Sequence, residues 1–534
     1  MKKYFLCIMV ALVIVLSACS DWLEVLPKNQ QLSEDYWKKK SDVEAVLGTG
    51  YAYIRNMVPT LINWGELRGG SVYAYRGGQE LALQNFKLTP ESNICSWATL
   101  YKIIGVANSV IEFASGVMAE DDTYLERDMN AHLCEAYFQR ALAYFYMVRN
   151  FKEAPLILKS YVDDSTPYDY PKSSEEEIIA QIKADISAAL SNPYVRGSYA
   201  DNWANKGRAT RWAFYALMAD VCLWSGDYDG CIENADKLLT AGEVTSGIHP
   251  VFIADSEQWA SKIFYEGFSN ESIFEIYYDV TNGQGVNAPS VFFGTVDPSG
   301  GSAAISSSTY QFTPDMCTQL MAEDENFDDG TGGTSIEENS VRGFYRTYCY
   351  YKSTDGSIDG TVPPCLIWKY RTAGSTLDYA YQRNFTDEPA NFIIYRMSDV
   401  ILMKAEALVW KGGRENWEEA VNLVNKIRSR AKLKDWEPNL DAVDELTLLE
   451  GVLKERDIEL AAEGKRWYDL VRLGKSQDYR YKKRFIEIIV ERNITEQDLW
   501  IESTLQDNYA WFLPIHIHEI ETNHALVQNP YYKN

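Results

Sequence analysis

The densest group of residues that could do chemistry alternates acids and cations in the segment ERDIELAAEGKRWYDLVRLG, residues 455–474. Paired carboxylates cleave the bond in most glycoside hydrolases, but one of them needs a raised pKa, and a neighbouring arginine prevents that. Helical spacing predicts three glutamates on one face and three ion pairs, namely Glu455, Glu459 and Glu463, and Glu463–Arg466, Arg466–Asp469 and Asp469–Arg472. The pattern therefore favours a structural ion network. The chain also has neither a G-x-S-x-G motif nor a P-loop, so no enzyme activity is predicted.

Histidines near the C-terminus could bind a metal. His516 and His518 have the alternate spacing that places two imidazoles on one side of a strand, and His524 follows. Residue 522 is threonine, so HEIETNH is not an H-E-x-x-H zinc motif. The apolar surroundings favour hydrogen-bonded structural imidazoles, and no metal site is predicted.

An acidic run could bind calcium. The run from Asp324 to Ser335 differs from an EF-hand loop because Asp329 occupies the glycine position and Ser335 the position of the bidentate glutamate. A solvated acidic loop is the expected interpretation, with a calcium site of another geometry as the alternative. No cofactor is predicted.

The N-terminus places a cysteine directly after an apolar segment. Two lysines precede about a dozen apolar residues, which are too few to cross a bilayer as a helix. The sequence LSAC that follows is similar to a bacterial lipobox, in which the thiol is acylated and the chain is cleaved before it. We therefore predict a signal peptide at 1–18, lipidation of Cys19 and a tether at 19–32. The alternative is an ordinary secretory signal with an incidental cysteine.

Composition limits the partners. The 534 residues carry a formal net charge of −25, which argues against nucleic acid because a polyanion needs a basic surface. The nine cysteines are scattered and do not form a disulfide framework, although Cys349 and Cys365 could pair. With 36 tyrosines and 15 tryptophans, the chain has more aromatic surface than a core is expected to absorb.

Apolar residues at helical spacing dominate both ends of the chain, and a loop-rich segment separates them. We predict a helical region at 33–245, an insertion with a few short strands at 246–390, and a second helical region at 391–534. Helix-turn-helix patterns typical of tetratricopeptide repeats occur at 207–242 and 398–431. The predicted fold class is mainly α.

Several segments together resemble one family. They are WATLYKIIGVANSVI, EAYFQRALAYFYMVRNFKEAPLI, GRATRWAFYALMADVCLW, YRMSDVILMKAEALVWKGG, LKERDIELAAEGKRWYDLVRLGK and FLPIHIHEIETNHALVQNPYY. In this order, and with the lipobox, they resemble the RagB/SusD family of nutrient-binding outer-membrane lipoproteins. The histidines of LPIHIHEI depart from the usual family pattern.

The resemblance implies a scaffold of four tetratricopeptide-like helix pairs with an irregular loop region. It also implies a lipid-anchored protein on the cell exterior that covers a TonB-dependent SusC-like transporter and binds oligosaccharides without cleaving them. Peptides are the ligands of some members, so a peptide or other non-sugar nutrient is the first alternative. A secreted glycoside hydrolase is the second alternative.

A sugar ring presents one face of C–H groups and a rim of hydroxyls, so exposed aromatic rings with amide and guanidinium groups beside them are the expected contacts. The segment 63–80 and the insertion both supply these residue types. The candidate ligand-binding residues are Asn63, Trp64, Arg68, Tyr73, Tyr75, Arg76, Gln79, Asn282, Gln284, Asn287, Phe292, Phe293 and Tyr310. Replacing Trp64 or Tyr75 by alanine is expected to weaken binding without unfolding the chain.

Overall fold

Helices form most of the described structure. The computed structural model describes residues 36–74, 78–160, 169–256, 258–279, 295–296, 305–306, 310–325, 342, 349–350, 366–370 and 390–533. The helices are α1 (Lys40–Glu66), α2 (Gln79–Gln84), α3 (Ala98–Glu120), α4 (Glu126–Phe151), α5 (Glu175–Ser191), α6 (Asn202–Gly207), α7 (Arg211–Trp224), α8 (Tyr228–Leu239), α9 (Ala241–Val244), α10 (Pro314–Glu325), α11 (Met397–Lys411), α12 (Arg414–Arg430), α13 (Glu445–Glu459), α14 (Arg466–Tyr479), α15 (Lys482–Glu491), α16 (Asp498–Leu505) and α17 (Ile517–Thr522).

The strands are short and pair two by two. They are β1 (Val72–Ala74), β2 (Ser272–Ile276), β3 (Thr295–Val296), β4 (Ile305–Ser306), β5 (Tyr310–Phe312), β6 (Cys349–Tyr350), β7 (Leu366–Ile367) and β8 (Phe392–Arg396). In the described residues β1 pairs with β5, β2 with β8, β3 with β4 and β6 with β7, all antiparallel. The predicted mainly α fold class with a few short strands is confirmed.

Two long helices, α3 and α4, pack together as a hairpin. Helix α3, with the 3₁₀ turn before it, is long and apolar enough to cross a membrane by composition alone. Its apolar stripe, which includes Leu100, Ile103 and Ala107, is buried, and it packs against α1 and α4. A buried stripe of this kind identifies α3 as a core helix of the scaffold.

The helix boundaries show the expected capping chemistry. Ser174 and Glu177 form a capping box at the start of α5, with Ser174 Oγ accepting from the Glu177 amide at 3.2 Å. At the predicted turn between α7 and α8, Gly226 has a φ of 76° and Asp227 caps α8 by accepting from the Gly230 amide. Glycine tolerates this left-handed turn, which lets the two helices pack as a tetratricopeptide-like pair.

The insertion leaves and returns at the same place on the scaffold. Strand β2 pairs antiparallel with β8, so Ser272 lies opposite Arg396 and Ile276 opposite Phe392. Helix α11 follows β8 directly and packs on α8 and α12. The helix stack therefore continues from α8 to α11, although about 150 residues separate them in sequence. The boundaries of the three predicted regions stay a prediction.

A buried ion network ties the insertion to the end of α13. Its acids are Glu271, Glu323, Glu455, Glu459 and Glu463, and its cations are Arg342, Lys369, Arg396 and Arg430. Burial alone raises the pKa of a carboxyl group, but Arg430, Arg396 and Arg342 hold the pKa of Glu459 well below its usual range. Because Arg342 and Lys369 belong to the insertion, these ion pairs fix part of it against the helical scaffold.

The predicted network is present, but the partners differ from the helical spacing. Asp469 and Arg472 pair at 2.6 Å as expected. Arg466 instead approaches Asp457 at 3.4 Å, and Glu463 contacts Lys369 and Arg396. The reason is that α13 ends at Glu459 and Ala462 has a φ of 62°, which turns the chain. The shared helical face of the three glutamates therefore includes only Glu455 and Glu459.

One described cysteine takes part in a disulfide bond. Cys317 is disulfide-bonded. Four other cysteines, Cys95, Cys134, Cys222 and Cys231, are buried free thiols. The scattered spacing of the cysteines gave no signal for a bond at Cys317, and the side chains of Cys349 and Cys365 lie outside the described residues.

Candidate functional site

The two segments that supply the predicted ligand contacts meet in one small sheet. Strand β1 lies in the first segment and β5 lies in the insertion, and they pair with Tyr73 opposite Gln311 and Ala74 opposite Tyr310. Helix α2 packs beside β1, and the Gln84 side chain accepts a hydrogen bond from the Ala74 amide at 2.9 Å. We define the β1–β5 surface as these two strands together with α2.

The first pair of predicted contact residues holds the insertion in place. Tyr310 is 1% exposed and its hydroxyl donates to Asn63 Oδ1 at 2.6 Å, while Asn63 is 7% exposed at the end of α1. Burial raises the pKa of Tyr310, so this hydroxyl stays a donor. Asn63 and Tyr310 therefore act as a buried link between scaffold and insertion, which corrects their prediction as ligand contacts.

Trp64 is a core residue. Helix α1 continues through Trp64 to Glu66, whereas the glycine-rich sequence predicts a loop from residue 63. The indole is fully buried, packs edge-on against Phe151 and donates its Nε1 hydrogen to the Ile94 carbonyl at 2.9 Å. The prediction that its ring stacks on a ligand is wrong in this fold, because no face of the ring is exposed.

Arg68 is also committed to the core. Its guanidinium donates to the Trp511 carbonyl at 2.9 Å and lies 4.2 Å from the centre of the Trp467 ring. Burial lowers the pKa of Arg68 to about 10. Arg68 joins the end of α1 to the C-terminal helices, so its prediction as a ligand contact is corrected in the same way.

Two predicted residues lie partly exposed on the β1–β5 surface. The Tyr73 side chain is half-buried, and its hydroxyl donates to Gln311 Oε1 at 2.6 Å. Gln79 opens α2 and its Oε1 accepts from the Ile94 amide at 2.8 Å. Both are held in place by the fold while keeping accessible surface. They remain the described candidates for contact with a ligand.

The other predicted contacts lie outside the described residues. They are Tyr75, Arg76, Asn282, Gln284, Asn287, Phe292 and Phe293. Tyr75 and Arg76 directly follow β1, so their place in the chain adjoins the β1–β5 surface. Their role as ligand contacts stays a prediction.

Sequence reasoning missed Trp500, which lies beside α2. Its indole is 44% exposed, and Nε1 donates at 3.1 Å to the carbonyl of Asn85, the residue after α2. The Lys87 ammonium lies 5.9 Å from the ring centre. Spacing alone gave no signal for this exposure, because two adjacent large side chains can share a buried helix face, as Trp467 and Tyr468 do.

The described residues contain no group of histidines, cysteines and acids suited to a metal. His516 caps α17 by accepting from the His518 amide at 3.3 Å, so the two histidines lie at a helix start and not on a strand. Of the acidic run, residues 326–335 lie outside the described residues.

Comparisons with known proteins agree with the fold. A family profile described as the SusD family matches residues 270–532, and one described as starch-binding associating with outer membrane matches residues 21–223. A SusD-like protein of Formosa agariphila is 27% identical over 496 residues, covering 86% of this chain and 89% of the relative.

Solved structures give the same result. A SusD superfamily protein from Bacteroides vulgatus superposes with a TM-score of 0.71 at 19% identity, covering 93% of this chain and 100% of that chain. A laminarin-binding SusD-like protein superposes with a TM-score of 0.66 at 19% identity, covering 92% of this chain and 99% of that chain. The order of the helices, the inserted loop region and the two profile matches lead to one conclusion: this chain belongs to the SusD/RagB family.

Proposed function

We propose that this protein binds an oligosaccharide or polysaccharide at the cell surface, does not cleave it, and delivers it to a TonB-dependent SusC-like transporter. The observation that carries the proposal is the match of both family profiles, one of which is described as starch-binding associating with outer membrane. The laminarin-binding relative of the same fold supports a glycan as the ligand class.

The β1–β5 surface suits this role. Tyr73 and Gln79 combine an aromatic ring with an amide, the pair of groups that a sugar ring and its hydroxyls need. Both side chains are held by hydrogen bonds within the protein, so little side-chain entropy is lost when a ligand binds. Tyr75 and Arg76 would add a second ring and a guanidinium directly after the strand.

The absence of cleavage is part of the proposal. In the densest acidic cluster, the described carboxylates of Glu459, Glu463 and Asp469 each contact arginine or lysine and are buried. Arg396 and Lys369 lower the pKa of Glu463 against the effect of burial, whereas a glycosidase acid needs a raised value. Burial raises the pKa of Glu455, but this carboxylate is 2% exposed and pairs with Arg342, so no glycan reaches it.

Affinity electrophoresis through gels containing laminarin, starch, xylan or mannan tests the ligand class. We expect the mature chain to be retarded by at least one of these glycans. The Tyr73→Ala and Tyr75→Ala variants should bind about 3- to 10-fold more weakly, which is the loss of one aromatic contact. Tyr194→Ala, at a tyrosine that is 40% exposed elsewhere on the scaffold, is the matched control and should bind like the wild type.

Two outcomes would contradict the proposal. The first is no retardation in any of the four gels, and calorimetric binding of peptides from a casein hydrolysate would then favour the peptide alternative. The second is the appearance of shortened glycan chains after incubation with the purified protein.

Membrane attachment is tested separately. Acylation at Cys19 should place the full-length chain in the outer-membrane fraction, because each buried CH₂ contributes about 0.8 kcal/mol and two or three acyl chains make release negligible. Cys19→Ala should move the protein to the soluble fraction and remove labelling by radioactive palmitate. A Cys19→Ala protein that remains labelled and membrane-bound would contradict the lipobox assignment.

A further inference from the structure

A cavity lined by aromatic rings lies on the helical scaffold, apart from the β1–β5 surface. It has a volume of about 500 Å³ and opens between the first half of α1, helix α6 and the end of β2. We call it the Trp203 cleft and define it by the residues Gly48, Arg55, Trp203, Gly207, Glu275 and Tyr277, all of which line it.

Two aromatic rings form one wall of the Trp203 cleft. Trp203 is 40% exposed, and its ring centre lies 5.1 Å from that of Tyr277, with the planes 49° apart. Gly207 packs closely on this wall, because a Cβ atom at position 207 would lie 3.1 Å from the Tyr277 ring. The glycine therefore lets the Tyr277 ring approach α6 closely while Trp203 stays accessible.

Polar groups with spare hydrogen-bonding capacity line the same cavity. The Arg55 Nε–H group donates to the Tyr277 carbonyl oxygen at 2.9 Å. The two terminal guanidinium nitrogens of Arg55 have no hydrogen-bond partner in the part of the chain that is described. Glu275 is fully buried and its Oε1 accepts from the Phe268 amide and from Asn391.

The second oxygen of Glu275 is the most unusual group. Oε2 is buried and has no hydrogen-bond partner among the described residues. Burial raises the pKa of this carboxyl group. A buried polar atom without a partner costs free energy, but Glu275 is 0% exposed, so a ligand in the cleft does not reach this oxygen.

The opposite wall is kept open by a glycine in a helix. Gly48 lies inside α1, where glycine costs about 0.5–1 kcal/mol relative to alanine. No atom lies within 4 Å of the position that its Cβ would occupy, so close packing does not require glycine here. A larger side chain at position 48 would extend into the cavity.

We propose that the Trp203 cleft is a second carbohydrate-binding site, which stacks a pyranose ring on Trp203 and bonds its hydroxyls to Arg55. The cleft is separate from the β1–β5 surface, because Arg55 of the cleft and Asn63, which bonds Tyr310 of β5, are eight residues apart on α1, or about 12 Å along the helix axis. A polysaccharide is long enough to occupy both sites, which favours long chains over short ones through effective concentration. This inference rests on the proposed carbohydrate function.

The test uses Trp203→Ala, which removes the ring, and Gly48→Gln, which fills the cleft with a better helix former. Ala45→Gln adds the same side chain to an exposed position of α1 outside the cleft and is the matched control. All are compared with the mature wild type by affinity electrophoresis in laminarin, starch, xylan and mannan, and by thermal unfolding.

We expect Trp203→Ala and Gly48→Gln to bind about 3- to 10-fold more weakly to the glycan that retards the wild type most. Ala45→Gln should match the wild type, and the unfolding temperature of Gly48→Gln should not fall. Unchanged binding of both cleft variants to a glycan that retards the wild type would overturn the second site and leave the proposed function intact. No retardation of the wild type by any of the four glycans would overturn both.

Discussion

Helix α1 contributes to two aromatic regions of opposite character. At its C-terminal end, Trp64 and Arg68 are buried and their polar atoms bond to other segments of the chain. In its first half, Gly48 faces open space and Trp203 across the Trp203 cleft is 40% exposed. The difference teaches that a cluster of aromatic, amide and guanidinium groups does not by itself indicate a ligand site. What matters is whether the fold has already used those groups.

The largest expected effect separates the two tryptophans. Trp64→Ala removes a fully buried ring and should lower the free energy of unfolding by about 3–5 kcal/mol. Trp203→Ala removes a half-exposed ring and should change it by about 0.5 kcal/mol. Urea-induced unfolding followed by circular dichroism measures both. Equal losses of unfolding free energy in the two variants would contradict the distinction between a buried Trp64 and an exposed Trp203.

The next contrast is between Gly65, which is tightly packed at the C-terminal end of α1, and Gly48, which faces open space. A Cβ atom on Gly65 would lie 2.1 Å from the carbonyl oxygen of Gly464, and this neighbour is backbone that cannot rotate away. We expect Gly65→Ala to destabilise the protein by about 1–3 kcal/mol, as overpacking of a core does. The shift of the urea midpoint measures the effect. A neutral result would mean that the contact between α1 and the segment before α14 is looser than the structure indicates.

The protonation of Glu66 tests whether the C-terminal end of α1 is as buried as the structure shows. Burial raises the pKa of Glu66 from 4.5 to about 8, although the amides of Gly464 and Lys465 bond to the carboxyl group. The folded state keeps a proton that the unfolded chain releases above about pH 4.5, so stability is greatest below that pH and falls as the pH rises to 8.

Replacing Glu66 by glutamine removes this titration and keeps an oxygen acceptor for the amides. From pH 6.5 to 8 the stability of the wild type should fall relative to Glu66→Gln by up to about 1.4 kcal/mol per pH unit. The readout is the difference between the urea midpoints of the two proteins at each pH. A difference that stays constant across this range would show that Glu66 does not titrate there.

The smallest expected effect is a gain of stability. Gly48→Ala places a methyl group in open space and removes the entropy that glycine loses in a helix, so it should stabilise the protein by about 0.5–1 kcal/mol. Differential scanning calorimetry measures the rise in unfolding temperature. A destabilised Gly48→Ala would mean that the wall of the cleft is packed and would remove one argument for the second site.

The sequence predicts the scaffold well because the physics of helices is local. The spacing of apolar residues gives the α3–α4 hairpin, and the capping box at Ser174 and the turn at Gly226 are set by residues within one turn. The helix pair formed by α11 and α12 follows from the same local pattern. The return of α11 onto α8 is not local and could not be read from spacing.

The site could be predicted only in part because burial is decided by distant segments. Trp64 is enclosed by Phe151 and the Ile94 carbonyl, and Arg68 by Trp467 and Trp511, none of which is near in sequence. A glycine-rich, aromatic segment resembles an exposed loop until these partners are known. The pairing of β1 with β5, which joins the two predicted segments, likewise depends on a contact over more than 200 residues.

The most direct test of the central claim is isothermal titration calorimetry of the mature protein with laminarin, with the chain length of the glycan measured before and after each titration. If laminarin does not retard the protein in the gel assay, starch, xylan or mannan takes its place. The account predicts saturable binding and glycan recovered at its original length. Failure to bind any of the four, or recovery of shortened chains, would contradict it.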